Sequence, residues 1–186
     1  MAMAKGERVY LRALADTDGA AFVAAARASR ALHRGWVNPP VTSDAFARRM
    51  QRNASDTRFS GLLVIRRNDD AVLGVLNLSE IIRGPLQQAF LGYYAFAPHE
   101  RQGYMREGLA LLLDHAFRRL KLHRIEANIQ PGNVSSIALC RASGFVREGF
   151  SARFLKLGGR WRDHERWAIN ADQWRAQRRA APIAAI

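Results

Sequence analysis

The stretch His99-Glu100-Arg101-Gln102-Gly103-Tyr104-Met105-Arg106 joins a strand-like segment to a long amphipathic one. Upstream, Gln88 to Phe96 reads as a strand that Pro98 ends. Downstream, Met105, Leu109, Leu112, Ala116 and Leu120 recur at spacings of three and four, so Gly103 to Leu120 is a helix with one face on a sheet. A glycine-containing loop that feeds a helix leaves several backbone N–H groups aimed at one spot. The helix dipole adds partial positive charge there, and Arg101 and Arg106 add full charges. That is the chemistry of a pyrophosphate cradle. A single glycine before a helix is also common in ordinary strand-to-helix loops, so the stretch alone does not decide between the two.

Working outward, strands and helices alternate without an internal repeat or a low-complexity linker. Arg8 to Arg12 is a short first strand. Asp16 is placed to cap a helix to about Arg30, and Arg34 to Pro40 breaks the pattern before Ser43 caps a second helix to about Asn53. Phe59 to Arg66 and Ala71 to Ile82 form a hairpin around Asn68-Asp69-Asp70. Beyond the long helix come a strand, Arg124 to Gln130, and a short helix that Pro131-Gly132-Asn133 opens and Gly144 ends. Phe150 to Leu157 and Arg160 to Ile169 close the unit around Gly158-Gly159. Trp161 and Trp167 share a face of the last strand and are expected in the core. The reading is one domain over 1–174 and a disordered Arg- and Ala-rich tail over 175–186.

Composition narrows the function classes. A chain of 186 residues is long enough to hold a core without disulfides, and its one cysteine, Cys140, cannot form an internal one. Met1 to Gly6 is short and polar, and the apolar runs near Leu62 and Leu109 are too short to cross a bilayer. The expectation is therefore a soluble, cytoplasmic protein that is not membrane-bound, as a monomer or homodimer. The formal charge of +13 favours polyanionic partners: a phosphorylated cofactor, an acidic protein or RNA. All but Lys5, Lys121 and Lys156 of the 29 basic residues are arginines, a bias that genome composition alone can produce. The histidines show no metal-ligand spacing, and no metal is expected.

From about Arg8 to Ile169 the order of elements resembles the GNAT superfamily of N-acetyltransferases. Its signature, Gln/Arg-x-x-Gly-x-Gly/Ala, corresponds to Glu100 through Met105, with Glu100 in place of Gln or Arg and Met105 in place of a small residue. Asn133-Val134-Ser135-Ser136 through Gly144-Phe145 resembles the family's Asn-x-x-Ser, helix and Gly-Phe. Gly103 to Glu107, His123-Arg124-Ile125 and Trp161 to His164 look like the Rim-type (RimJ-like) enzymes that modify ribosomal-protein N-termini. The resemblance implies an α/β (α+β) fold with a mixed, mostly antiparallel sheet of about seven strands, flanked by helices and splayed in the middle. It implies acetyl-CoA as donor. The cofactor would lie against Tyr94, Ala95 and Phe96 and against Arg101, Gln102, Gly103, Tyr104, Met105, Arg106, Asn133 and Ser136. An amine would enter from the other side of the splay and attack the thioester directly.

No base stands out. Glu126, on the strand before Asn133, is the best-placed carboxylate and Glu80 a second candidate; for each the alternative is a solvated or ion-paired surface carboxylate. Ser136 is the candidate partner for the sulfur, although a serine in a first helical turn often only caps. Some relatives carry a tyrosine seven residues after the Asn, where Cys140 stands here. Trp36 either walls the acceptor site or anchors packing. Glu100 is repulsive to phosphates unless it turns to solvent. The leading expectation is acetylation of a protein or peptide N-terminus, with a ribosomal protein as the type of substrate. The alternatives are a small-molecule amine acetyltransferase and an RNA-associated ribosome assembly factor whose catalysis is secondary or lost.

Overall fold

The computed structural model describes residues 2–180. Strands β1 (Ala4–Lys5), β2 (Val9–Ala13), β3 (Ser60–Arg66), β4 (Val72–Ile82), β5 (Gln88–Ala95), β6 (Arg124–Ile129), β7 (Val146–Leu157) and β8 (Arg160–Asn170) form one open sheet in the order β1-β2-β3-β4-β5-β6-β8-β7. Every neighbouring pair is antiparallel except β5–β6. That parallel pair needs a crossover, and α4 (Tyr104–Asp114), prolonged by a π-helical turn at His115–Arg119, supplies it. Five other helices complete the unit: α1 (Gly19–Ala28), α2 (Arg30–His33), α3 (Ser43–Ser55), α5 (Val134–Ala142) and α6 (Ala171–Ala180).

Strand alternation divides the core between the two faces. Leu76, Leu91, Ile125, Ala127 and Trp167 pack on the side of α4, α5 and α6. Leu63, Ile65, Val75 and Phe96 pack on the side of α1 and α3, where Phe22 meets Phe46 at 5.1 Å and Phe96 edge-on at 5.4 Å.

The sheet has eight strands against the expected seven. The addition is β1, two residues that pair with Tyr10 and Leu11 and are too short for a periodic signal. Asp16 caps no long helix: it starts a single 3₁₀ turn, while Asp18 is buried and takes the N–H of Ala15 at 2.8 Å and the guanidinium of Arg12. Thr42, not Ser43, caps α3, its hydroxyl accepting from the Ala45 N–H at 3.2 Å. Trp167 is core, but Trp161 is 60% exposed. It lies on the β7–β8 extension beyond Glu165, the last β8 residue paired with β6, so no helix covers it. The tail expected to be disordered from 175 instead continues as α6 to Ala180. Trp174 anchors this helix, buried against Phe117 at 5.5 Å and flanked by the guanidinium groups of Arg118 and Arg178. Residues 181–186 of that expected tail lie outside the described residues.

Met105 has room because of a glycine on β4. A Cβ at Gly74 would sit 2.6 Å from the Met105 sulfur and 2.6 Å from the Tyr94 carbonyl oxygen. The expected result for Gly74→Ala is a loss of about 1–3 kcal/mol from overpacking, read by chemical denaturation. An unchanged midpoint would mean the β4–α4 contact is looser than the geometry indicates.

His33, His115 and His164 all have pKa values lowered, in each case chiefly by burial. A base with a depressed folded pKa binds fewer protons folded than unfolded. Its contribution to stability is present above the ordinary histidine value of 6.5 and is lost as pH falls through the folded value. The melting temperature is therefore expected to decline as pH drops below that value; a flat profile there would contradict buried, neutral histidines.

Candidate functional site

Strands β5 and β6 pair only at Gln88, Ala89 and Phe90, opposite Arg124, Ile125 and Glu126. Beyond Phe90 they part, leaving Leu91–Ala95 and Ala127–Ile129 without cross-strand partners in this direction. A cavity of about 430 Å³ occupies the opening. Its walls are Tyr93, Tyr94 and Ala95 of β5, the loop from His99 to Met105, the start of α5, and Trp36 with Val37. Trp36 therefore walls the cavity. Its ring also lies over the turn before α5, within 3.4 Å of where a Gly132 Cβ would stand, and Gln130 donates to the Gly35 carbonyl at 2.9 Å. These contacts fasten the α2–α3 connection across the parted strands.

The loop before α4 has the backbone of an anion cradle. Arg101 has φ 61 although it carries a side chain, and Gly103, the N-cap of α4, has φ 82. A non-glycine residue held there costs roughly 1–3 kcal/mol, and such strain gathers at binding sites. Arg8, just before β2, holds the loop: it donates to the Gln102 carbonyl at 3.2 Å and pairs with Glu107 at 3.0 Å. The same Glu107 accepts the Arg8 and Val9 N–H groups, so α4 is tied to the sheet at its first turn. Arg101, Gln102, Gly103, Tyr104, Met105 and Arg106 all line the cavity.

Glu100 does not turn to solvent. It lines the cavity, and its Oε2 is buried without a hydrogen-bond partner among the described residues. A carboxylate held there opposes an anionic ligand. Glu100→Gln is expected to tighten acetyl-CoA binding severalfold, most clearly at low salt where screening is weakest; unchanged or weaker binding in a titration would contradict this.

At the opposite wall, Asn133 caps α5, its Oδ1 accepting from the Ser136 N–H and the Ser135 hydroxyl, both at 3.2 Å. Its amide NH₂ makes no hydrogen bond among the described residues. The Ser136 carbonyl accepts from Tyr93 Oη at 2.9 Å, and the same hydroxyl lies 3.4 Å from Cys140 Sγ. Burial pushes Cys140 up to about 11 and raises Tyr93 well above its ordinary value, so both stay protonated at neutral pH. Cys140 is a core residue, and the Tyr93 hydroxyl of β5 lies against the same turn of α5 as Ser136. Tyr93, Ser135 and His33 are cavity residues that the sequence reading missed. The available signal for Tyr93 was its alternation with Leu91 toward the α5 side. His33, on a four-residue helix, offered none. Its Nε2 lies 2.7 Å from the Ala95 carbonyl oxygen, which can only accept, so the proton sits on Nε2 and Nδ1 is the bare nitrogen.

Three expected positions differ. Phe96 does not line the cavity: its N–H goes to the Leu73 carbonyl, its carbonyl to the His99 N–H, and its ring into the α1–α3 core. Glu80 is not among the cavity's walls: it sits at a bulge in β4 with φ 47 and pairs with Arg58 at 3.4 Å. Glu126 stands at the apex, in the last pair before the strands part, on the face toward α1 and α3. It is not a wall of the cavity and is engaged by Arg124 at 2.8 Å and Asn128 at 3.3 Å.

The cavity thus combines unpaired strand edges, a glycine cradle with two arginines, and a free side-chain amide, a set that fits an extended ligand ending in phosphates. The family described as acetyltransferase (GNAT) domain matches residues 8–146. A probable N-acetyltransferase of Bacillus subtilis (strain 168), YjcK, is 42% identical over 106 residues, 57% of this chain and 59% of that protein. The ribosomal protein uS5-alanine N-acetyltransferase of Escherichia coli (strain K12) is 33% identical over 107 residues, 58% of this chain and 55% of that protein. The matched stretches therefore span under two thirds of those relatives' lengths. Among solved structures, Mycobacterium smegmatis RimJ in complex with CoA-disulfide superposes with a TM-score of 0.83 at 27% identity, over 94% of this chain and 89% of that one.

Proposed function

This chain belongs to the GNAT acetyltransferase family, and from that premise we propose that it is an acetyl-CoA-dependent N-acetyltransferase whose acceptor is a protein N-terminal α-amine of the ribosomal-protein type. Acetyl-CoA supplies an activated acetyl thioester. The chain's own residues bind and orient it. The N–H groups of the loop through Gly103, with Arg101 and Arg106, hold the diphosphate; the free edge at Tyr94 and Ala95 and the amide of Asn133 hold the pantetheine arm. Glu126 at the apex takes the proton of the incoming amine, directly or through one water. Ser136, on the first turn of α5, hydrogen-bonds the leaving sulfur.

The observation that carries the choice of acceptor is the state of the carboxylate at the apex of the opening on the α1–α3 face. Glu126 pairs with Arg124 at 2.8 Å, so it carries an arginine and is not free for a polycation. An α-amine, with a pKa of about 7.7–8.0, is roughly a quarter neutral at pH 7.4, whereas an alkyl amine such as lysine's is neutral about one part in a thousand. An ion-paired carboxylate suffices for the first and not for the second. The RimJ relationship supports the same acceptor.

Mass spectrometry of peptides beginning with Ala, Ser or Thr, incubated with the protein and acetyl-CoA, tests the reading, with spermidine as the comparison amine. Acetylation confined to the peptide α-amine is expected. Acetylation of spermidine alone would replace it with the small-molecule reading. RNA binding that weakens steeply with salt and no transfer to any amine would replace it with the assembly-factor reading.

A further inference from the structure

A row of small and amide side chains crosses the sheet on the α1–α3 face where the strands part. Gly61 of β3 pairs with Asn77 of β4, and Asn77 with Gly92 of β5. Gly92 is exposed, and a Cβ there would meet nothing within 4 Å, so the floor beside the opening is free. Above the row lies Arg49 of α3. Its Nη2 donates to Asn77 Oδ1 and stands 3.4 Å from where a Gly61 Cβ would be. Its Nε is buried without a hydrogen-bond partner, and none of the ion pairs among the described residues includes it. Beside it stands another cation, Arg52.

The same neighbourhood holds further orphans. Tyr94 Oη and Asn128 Oδ1 are also buried without partners among the described residues. Tyr94 is held protonated, its pKa pushed up to about 12 by burial, so it is a donor. Leaving a buried polar group unsatisfied costs about 1–3 kcal/mol, more when it is charged, so each of these groups calls for a partner, a ligand or an ordered water. The donors here are a guanidinium and a phenol, and the acceptor that suits a guanidinium fork is a carboxylate.

We propose that Arg49, supported by Asn77 and Tyr94 over the Gly92 floor, forms an acceptor subsite for a carboxylate borne close to the reacting amine. This rests on the acetyltransferase reading for the identity of that amine. Arg49 hydrogen-bonds Asn77 one strand over from Gly92, a spacing of about 4.8 Å. The carboxylate is therefore within a residue or two of the amine: an acidic side chain near a peptide N-terminus, or the α-carboxylate of a free amino acid. A half-buried arginine in this position also disfavours a polyamine, by like-charge repulsion.

The test uses binding rather than turnover. The full chain is saturated with CoA, which cannot transfer acetyl, and titrated with the amides of Ala-Glu and Ala-Gln, and separately with alanine and alaninamide. Wild type is expected to bind the acidic member of at least one pair tenfold or more tighter, and the pair concerned identifies the source of the carboxylate. Arg49→Met should erase that ratio while acetyl-CoA affinity stays unchanged. Arg49→Lys keeps the charge without the fork and should retain part of the ratio, which guards against a variant that fails to fold. Equal binding within both pairs in wild type, or a preference that survives in Arg49→Met, overturns the subsite. Because no transfer is measured, a failed acetylation assay counts against the proposed function and leaves this result standing.

Discussion

Gly103→Val is expected to weaken acetyl-CoA binding on the order of a hundredfold, roughly 2.7 kcal/mol. Gly103 has φ 82, a conformation in which a β-branched side chain is strained, and it is the N-cap from which α4 begins. A Cβ there would also stand 3.3 Å from Arg8 Nη2, the guanidinium that holds the loop through the Gln102 carbonyl. Relieving the strain means flattening the turn, and the N–H groups then no longer converge. Gly84→Val is the control, with φ 66 and open space around its Cβ, in a turn away from the cavity. Both variants should melt earlier, but only Gly103→Val should lose the cofactor. Equal retention of binding would move the cradle elsewhere.

Glu126→Gln is expected to lower kcat by about a hundredfold, the lower end of what a positioned base contributes, with acetyl-CoA affinity unchanged. The argument is positional. Glu126 is the last residue of β6 paired to β5, and its side chain is on the α1–α3 face, from which the amine would enter. Glutamine keeps the size and the contact to Asn128 but cannot take a proton. Ser136→Ala, in contrast, should reduce turnover by a smaller factor, since Tyr93 still presents a hydroxyl to the same turn of α5. A wild-type kcat in Glu126→Gln would leave this residue as the anchor of the Arg124–Glu126–Glu148 ion pairs.

Much of the fold was legible because its signals are periodic. The 3–4 spacing from Met105 to Leu120 locates α4 with its π-turn, and the hairpin, β5, β6 and the Asn133-to-Gly144 helix all stand close to their sequence positions. What periodicity cannot carry was missed: the two-residue β1, the helix after Asn170 held by a single tryptophan, and the exposure of Trp161, which depends on where β6 stops pairing with β8. The glycine loop before α4 was legible for a related reason, since a loop's geometry follows from a local string of residues. The cavity wall was less so. Tyr93 reaches Ser136 across 43 positions, and His33 reaches Ala95 across 62. Such pairs arise from sheet order and helix placement. Phe96 shows the same limit in reverse: next to Ala95 in sequence, it buries its ring fully in the α1–α3 core and is lost to the cavity wall.

The most direct measurement is a calorimetric titration of the purified chain with acetyl-CoA. The account expects saturable, one-to-one binding in the micromolar range that Gly103→Val weakens by about a hundredfold. No binding by the wild-type chain, even at millimolar acetyl-CoA, would contradict the cradle and the acetyltransfer built on it.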